Sequence, residues 1–265
     1  MTVDSKQKKM TFWDHLDELR GVIIKILIAI VALMVISFLF KEEVFSIVLA
    51  PKDSDFVLYQ LLQRIADGVG ITLFHLDDFN IELISTLLAS QFITHMKMAF
   101  NCGILLASPY ILYQLLRFVT PALYENERRY AVPVVTWGYL LYLLGVLLCY
   151  FIIFPLAIRF LGTYQVSSDV PNLITLDSYI STLVTMSLLM GLMFELPVLC
   201  WLFAKLGFIS SSFLRKYRRH AFIIILIIGT IITPTSDVFT LLLVSIPIYI
   251  LYEASIGVVA LTVKG

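Results

Sequence analysis

Apolar and polar positions in this chain fall into long blocks rather than short alternations, and six apolar segments stand out. They are Val22–Phe40, about Leu87–Leu106 extending as helix towards Phe118, Ala131–Phe154, Ile180–Phe203, Ala221–Ile232, and Val238 to about Tyr252. A helix rises ~1.5 Å per residue, so ~20 apolar residues cross a hydrocarbon core of ~30 Å. The first four segments meet that length and the last two do not. The fifth, at twelve residues or ~18 Å, has two readings: a short hairpin buried in protein, or a place where the bilayer thins. Between the first two spans lies a polar stretch, 41–86. Within it Val57, Leu58, Leu61, Leu62 and Ile65 recur at helical spacing, predicting an amphipathic helix on the outer surface. Pro51 and Gly68/Gly70 punctuate its ends.

Composition agrees with a membrane protein. Of 265 residues 60% are hydrophobic and 14% charged, with a mean hydropathy of +0.93. Soluble domains run nearer half apolar and a quarter charged. No internal repeat, low-complexity tract or linker divides the chain. It reads as one polytopic all-α domain over 1–265, with an amphipathic N-terminal segment, 1–21, and the long outer loop. The first apolar run lacks a small-residue cleavage site after it and reads as a retained span.

Charge sets the orientation. With the N-terminus in the cytoplasm, 14 of the 19 Lys and Arg fall on cytoplasmic segments and helix ends, and 4 on the opposite side. Lys97 lies within the second span. The bias predicts both termini inside. The 19 acids balance the 19 bases, which excludes an overall basic field for nucleic acid.

Familiar chemistry is missing. Cys102, Cys149 and Cys200 lie far apart in apolar runs, form no CxxC pair and read as packing residues. There is no GxGxxG, no GxxxxGK[ST] and no GxSxG, and the four histidines lack an HxxxH or HExxH partner. No cofactor, metal site or catalytic group is expected, and the chain does not read as an enzyme.

What remains is charge placed where charge is expensive. Glu195 lies near the middle of the fourth span, two residues before Pro197. It is either a neutral structural carboxyl beside a proline break or a polar point on a water-accessible face. Lys97 is its candidate partner, or else snorkels to water from its span end. On the cytoplasmic side, Thr11 and Asp14 fit a capping pattern, and Phe12, Leu16 and Leu19 share one helix face while Asp14, Asp17 and Glu18 share another. The helix dipole accounts for Asp14 but less well for Glu18, a turn further in. The loop Phe118–Arg129 mixes rigid, aromatic and charged residues. Its Glu127 either pairs locally with Arg128 or Arg129, or joins Glu18 in a patch for a basic ligand. Glu195 and Lys97 also admit a proton-coupled transporter, although no inverted repeat supports one. A passive scaffold for partner helices is the third reading.

At these residues the sequence resembles the TatC family, the core subunit of the twin-arginine protein translocase. His15-Leu16-Asp17-Glu18-Leu19-Arg20 matches an H-L-x-E-L-R entry motif, and Phe118–Arg129 matches F-x-x-P-A-L-Y-x-x-E-R-R. Ser108-Pro109, Tyr113-Gln114, Phe154-Pro155, Phe194-Glu195-Leu196-Pro197-Val198, and Thr233-Pro234 with Asp237 and Phe239 follow in order. The resemblance implies a glove-like six-helix bundle with short fifth and sixth helices, its concave face bearing Glu195. It implies a bacterial cytoplasmic-membrane protein that binds twin-arginine signal peptides of folded cargo. Export is driven by the proton-motive force, with TatA- and TatB-type single-span partners and self-association in the complex. Glu18 and Glu127, with Pro121, Leu123 and Tyr124, become the recognition patch. Asp17, Arg20, Arg128 and Arg129 become its orienting charges, and Thr233 and Asp237 the partner-helix contact. The acidic outer loop is longer than in many relatives. Thr240-Leu241 stands where many relatives place a glutamine.

Overall fold

The computed structural model describes residues 12–69, 81–119, 131–165, 167, 172–233 and 237–262. Helix α1 (Phe12–Leu39) leads into a short α2 (Lys41–Leu49), a 3-10 turn (Ala50–Lys52) and α3 (Val57–Val69). Strand β1 (Leu83–Ile84) precedes α4 (Ser90–Val119), a single 30-residue helix that carries Pro109 within it. Helices α5 (Ala131–Leu148) and α6 (Phe154–Thr163) form one rod through a π-helical segment, Cys149–Ile153. Strand β2 (Ile174–Thr175) opens onto α7 (Leu176–Phe194), and α8 (Leu196–Lys205) continues it. The chain ends with α9 (Ser211–Lys216), α10 (Arg218–Ile232) and α11 (Val238–Thr262).

Five of these rods are long and apolar enough to cross a bilayer: α1, α4, α5–α6, α7–α8 and α11. Helix α10 has 15 residues, ~22 Å, and falls short of the ~30 Å core as its sequence predicted. The expectation of an equally short sixth helix is corrected. Helix α11 spans 25 residues, because it does not stop at Glu253, where the first apolar run ends. That carboxylate accepts from Arg218 of α10 at 2.6 Å and from the Tyr249 hydroxyl at 3.3 Å, so the helix carries the charge onward to Thr262.

Two prolines shape the rods. Pro155 has no N–H to return to the preceding turn, and the five residues before Phe154 wind wider as a π segment instead of breaking. Pro197 sits in the first turn of α8, and the helix is interrupted at Glu195.

Glycines let the rods touch backbone to backbone. A Cβ on Gly103 of α4 would lie 2.9 Å from the Ile30 carbonyl oxygen of α1. One on Gly145 of α5 would lie 2.8 Å from the Met190 carbonyl oxygen of α7, and one on Gly229 of α10 would lie 2.6 Å from Ser245 Oγ of α11. Phe154, Tyr179, Ile180, Met186, Met190, Val244 and Ile248 fill the centre with essentially no exposure. Leu27, Ile28, Val31 and Val35 of α1 lie open on the outside, as side chains that face lipid do.

The outer loop is more folded than the single predicted helix. Three tyrosine hydroxyls hold it by backbone carbonyls. Tyr150 donates to Ile47 at 2.6 Å, Tyr179 to Val48 at 3.1 Å, and Tyr59 to Pro155 at 3.0 Å and Pro51 at 3.2 Å. Strands β1 and β2 pair in parallel, Leu83 beside Ile174 and Ile84 beside Thr175, and join the α3–α4 and α6–α7 connections. The predicted amphipathic helix forms as α3. Its Tyr59 is buried while Val57, Leu61 and Ile65 remain exposed.

Candidate functional site

Helices α1 and α4 run antiparallel. The Phe38 and His95 rings stack at 4.0 Å, and further in, Gly103 meets the backbone of Ile30 and Met34. Continuing that register at one residue per residue sets Glu18 level with about residue 116, at the end of α4 that leads into 120–130. Glu18 is half-buried, and its Oε2 is shielded with no hydrogen-bond partner among the described residues. Asp17 and Arg20 beside it are exposed. Pro121, Leu123, Tyr124, Glu127, Arg128 and Arg129 lie outside the described residues.

Glu195 is 5% exposed at the interruption between α7 and α8. Its Oε1 makes no hydrogen bond, and a Cβ on Gly138 of α5 would come within 3.0 Å of its Oε2. Glycine at 138 therefore makes the space that the carboxylate occupies. One turn along α5, the buried Tyr142 hydroxyl also lacks a partner among the described residues, and its ring packs where a Cβ on Gly191 would lie 2.7 Å away. Sequence reasoning missed Gly138 and Tyr142. Their signal was the spacing of Gly138, Tyr142 and Gly145, which puts two glycines and one phenol on a single helix face.

Lys97 does not meet Glu195. Its Nζ lies 2.6 Å from Asp177 Oδ1 and 3.1 Å from Ser181 Oγ. Asp177 is in the first turn of α7, eighteen residues or ~27 Å along the rod from Glu195, which is beyond the reach of any side chain. The expected pairing is corrected for that reason. Both partners are about 40% exposed, so this is an interfacial ion pair and a weak one.

Thr233 lies at the end of α10 and Asp237 just before α11. The Thr233 hydroxyl donates to the Gly229 carbonyl at 3.0 Å, and Asp237 Oδ1 accepts from the Thr240 N–H at 2.7 Å to cap α11. Below them, Thr240 Oγ1 and Ser245 Oγ are buried without a partner among the described residues.

Comparison with known proteins gives one answer. The family model described as Sec-independent protein translocase protein (TatC) matches residues 14–247. The Sec-independent protein translocase protein TatC of Blattabacterium sp. subsp. Periplaneta americana (strain BPLAN) is 34% identical over 255 residues, covering 95% of this chain and 96% of that one. The protein of the same name from Escherichia coli (strain K12) is 32% identical over 261 residues, covering 97% and 89%. A crystal structure of the twin-arginine translocase receptor TatC superposes with a TM-score of 0.74 at 33% identity, covering 94% of this chain and all of that one. The family match over 14–247, relatives of full length and the same helical architecture coincide, and the chain belongs to the TatC family as a multi-pass membrane subunit of the twin-arginine protein translocase.

Proposed function

We propose that this protein is the site where twin-arginine signal peptides are received, with Glu18 and Glu127 taking the two guanidinium groups. The observation that carries the reading is the Glu18 carboxylate, whose Oε2 is shielded and unpartnered among the described residues. Such an oxygen costs free energy until a cation or donor completes it. Arginine fits this role better than lysine because its planar fork binds a carboxylate through two parallel bonds. Pro121, Leu123 and Tyr124 form the apolar side of the patch. Asp17, Arg20, Arg128 and Arg129 orient the two acids.

In this reading the protein lies in the bacterial cytoplasmic membrane with both termini inside, α10 supplying the sixth span. It assembles with TatA- and TatB-type single-span partners and with copies of itself, and the proton-motive force drives export. Thr233 and Asp237 mark the partner-helix contact. Both already cap helix ends, so that contact lies where α10 ends and α11 begins. Lys97 pairs with Asp177, which removes the Glu195–Lys97 couple on which a small-molecule transporter would rest.

The test is binding of a labelled Arg-Arg signal peptide to the solubilised protein, beside a Lys-Lys peptide. Each charge-assisted bond contributes ~1.5–3 kcal/mol, so Glu18→Gln should weaken Arg-Arg binding by about tenfold or more. Its thermal melt should match wild type, since no bond to that oxygen from the described residues is lost. Equal affinity for the two peptides, or a Glu18→Gln variant that binds as well as wild type, would sink the reading.

A further inference from the structure

The connection from α8 to α10 is a basic hairpin. Residues 196–236 contain no Asp or Glu, yet they carry Lys205, Arg215, Lys216, Arg218 and Arg219. Arg218 is engaged by Glu253 of α11 at 2.6 Å, and the Tyr252 hydroxyl fastens the hairpin through the Leu214 carbonyl at 2.7 Å. Arg215, Lys216 and Arg219 are exposed and form no ion pair among the described residues.

These cations share a face with apolar residues. Helices α9 and α10 meet at a single turn residue, Tyr217, whose N–H donates to Phe213 at 3.1 Å and whose carbonyl accepts from the Ala221 N–H at 2.9 Å. Within α10, Arg219, Ile223 and Ile227 step by four along one exposed face, and the exposed Lys216 closes α9 just before Tyr217. Beside them the Tyr217 and His220 rings meet at a tilt, 5.4 Å apart, and Ile224 and Ile231 continue the apolar strip. Read from the bilayer outward, the surface is isoleucine, then His220, Arg219 and Tyr217 together, then Lys216 and Arg215. An acyl chain, a glycerol-level interface and a phosphate follow in that same sequence.

We propose that this face binds an anionic phospholipid of the adjoining leaflet. The acyl chains lie on Ile223, Ile227 and Ile231, and the phosphate is held by Lys216 and Arg219 with Arg215 a turn away. Charge complementarity selects the occupant, because a segment without a single acid presents its cations at headgroup depth. The shortness of α10 adds to this. A span of ~22 Å draws its cytoplasmic end toward the hydrocarbon edge, where a bound headgroup satisfies cations that water reaches less well.

The experiment is native mass spectrometry of the full-length protein in detergent with phosphatidylglycerol and phosphatidylcholine in competition. Wild type should retain phosphatidylglycerol with about tenfold preference, and R215Q/K216Q/R219Q should lose most of it. The outer-face control K41Q/K52Q should keep it. Should the triple variant fail to fold, R219E alone, at an exposed position, must reduce the preference. A preference that survives these changes, or its absence in wild type, overturns the proposal. A photo-crosslinker at residue 223 in native membranes adds a second readout. Capture of lipid supports the site, and capture of a polypeptide in its place assigns the face to a partner helix and overturns it.

Discussion

Lys97 of α4 reaches Asp177 of α7 at 2.6 Å, and the carboxylate of Glu195 is left without a cation among the described residues. Two intramembrane charges that look like natural partners in the sequence thus occupy opposite halves of the bundle. Exposure of about 40% on both sides of the pair limits its value to roughly 0–1 kcal/mol. Lys97→Ala should lower the melting temperature only slightly, and the swap Lys97→Asp with Asp177→Lys should restore it. A large loss in Lys97→Ala that the swap fails to repair would show that Lys97 acts elsewhere.

The glycines of α5 give opposite expectations on one helix face. At Gly145 an added methyl meets the Met190 carbonyl at 2.8 Å and the Phe194 ring, so the α5–α7 crossing must open. Overpacking of that kind costs about 1–3 kcal/mol, and Gly145→Ala should melt clearly below wild type. At Gly138 the added methyl is crowded only by the end of the flexible Glu195 side chain, at 3.0 Å, while Leu112 Cδ1 lies at ordinary contact, 3.5 Å. Gly138→Ala should therefore melt close to wild type while pushing the carboxylate aside. Crystal structures or melting curves of the two variants separate these outcomes, and equal melting losses would refute the contrast.

The hydroxyl of Tyr59 binds the carbonyls of Pro51 in its own loop and Pro155 in α6, and burial raises its ionisation above the ordinary phenol value, with Arg159 offsetting part of the rise. A folded-state value above the unfolded value of ~10 means that the contribution is complete below pH ~10 and is lost as pH climbs from there. Hydrogen exchange of α3 should accelerate above about pH 10 in wild type. Tyr59→Phe should show that faster exchange already at neutral pH, from a loss of about 1 kcal/mol per bond. If α3 exchanges identically in wild type and Tyr59→Phe, the hydroxyl does not hold the loop.

The spans, the outer amphipathic helix and the break at Glu195 were legible in the sequence because each has a local cause: an apolar run, a helical period, a proline. The length of α11 was not. Glu253 ends an apolar run, and only its bond to Arg218, thirty-five residues away in the chain, shows that the helix goes on. The extension of the third span past Phe154 was hidden in the same manner, since Pro155 signals an ending and the π segment absorbs it. At the candidate site, Glu18 and Glu195 announced themselves as charges out of place. Gly138 and Tyr142, which shape the niche around Glu195, are ordinary residues until α5 and α7 are set side by side.

The π segment at Cys149–Ile153 also sets the rotational phase of everything beyond it. One residue more or fewer in a helix turns the following part by about 100°. The wider turn lets α5 present Gly138, Tyr142 and Gly145 to α7 while α6, on the same rod, points the Pro155 carbonyl at Tyr59. Removing a single residue there would leave both halves helical and both apolar. It would turn Pro155 away from the outer loop, and the two ends of the protein would lose their common alignment.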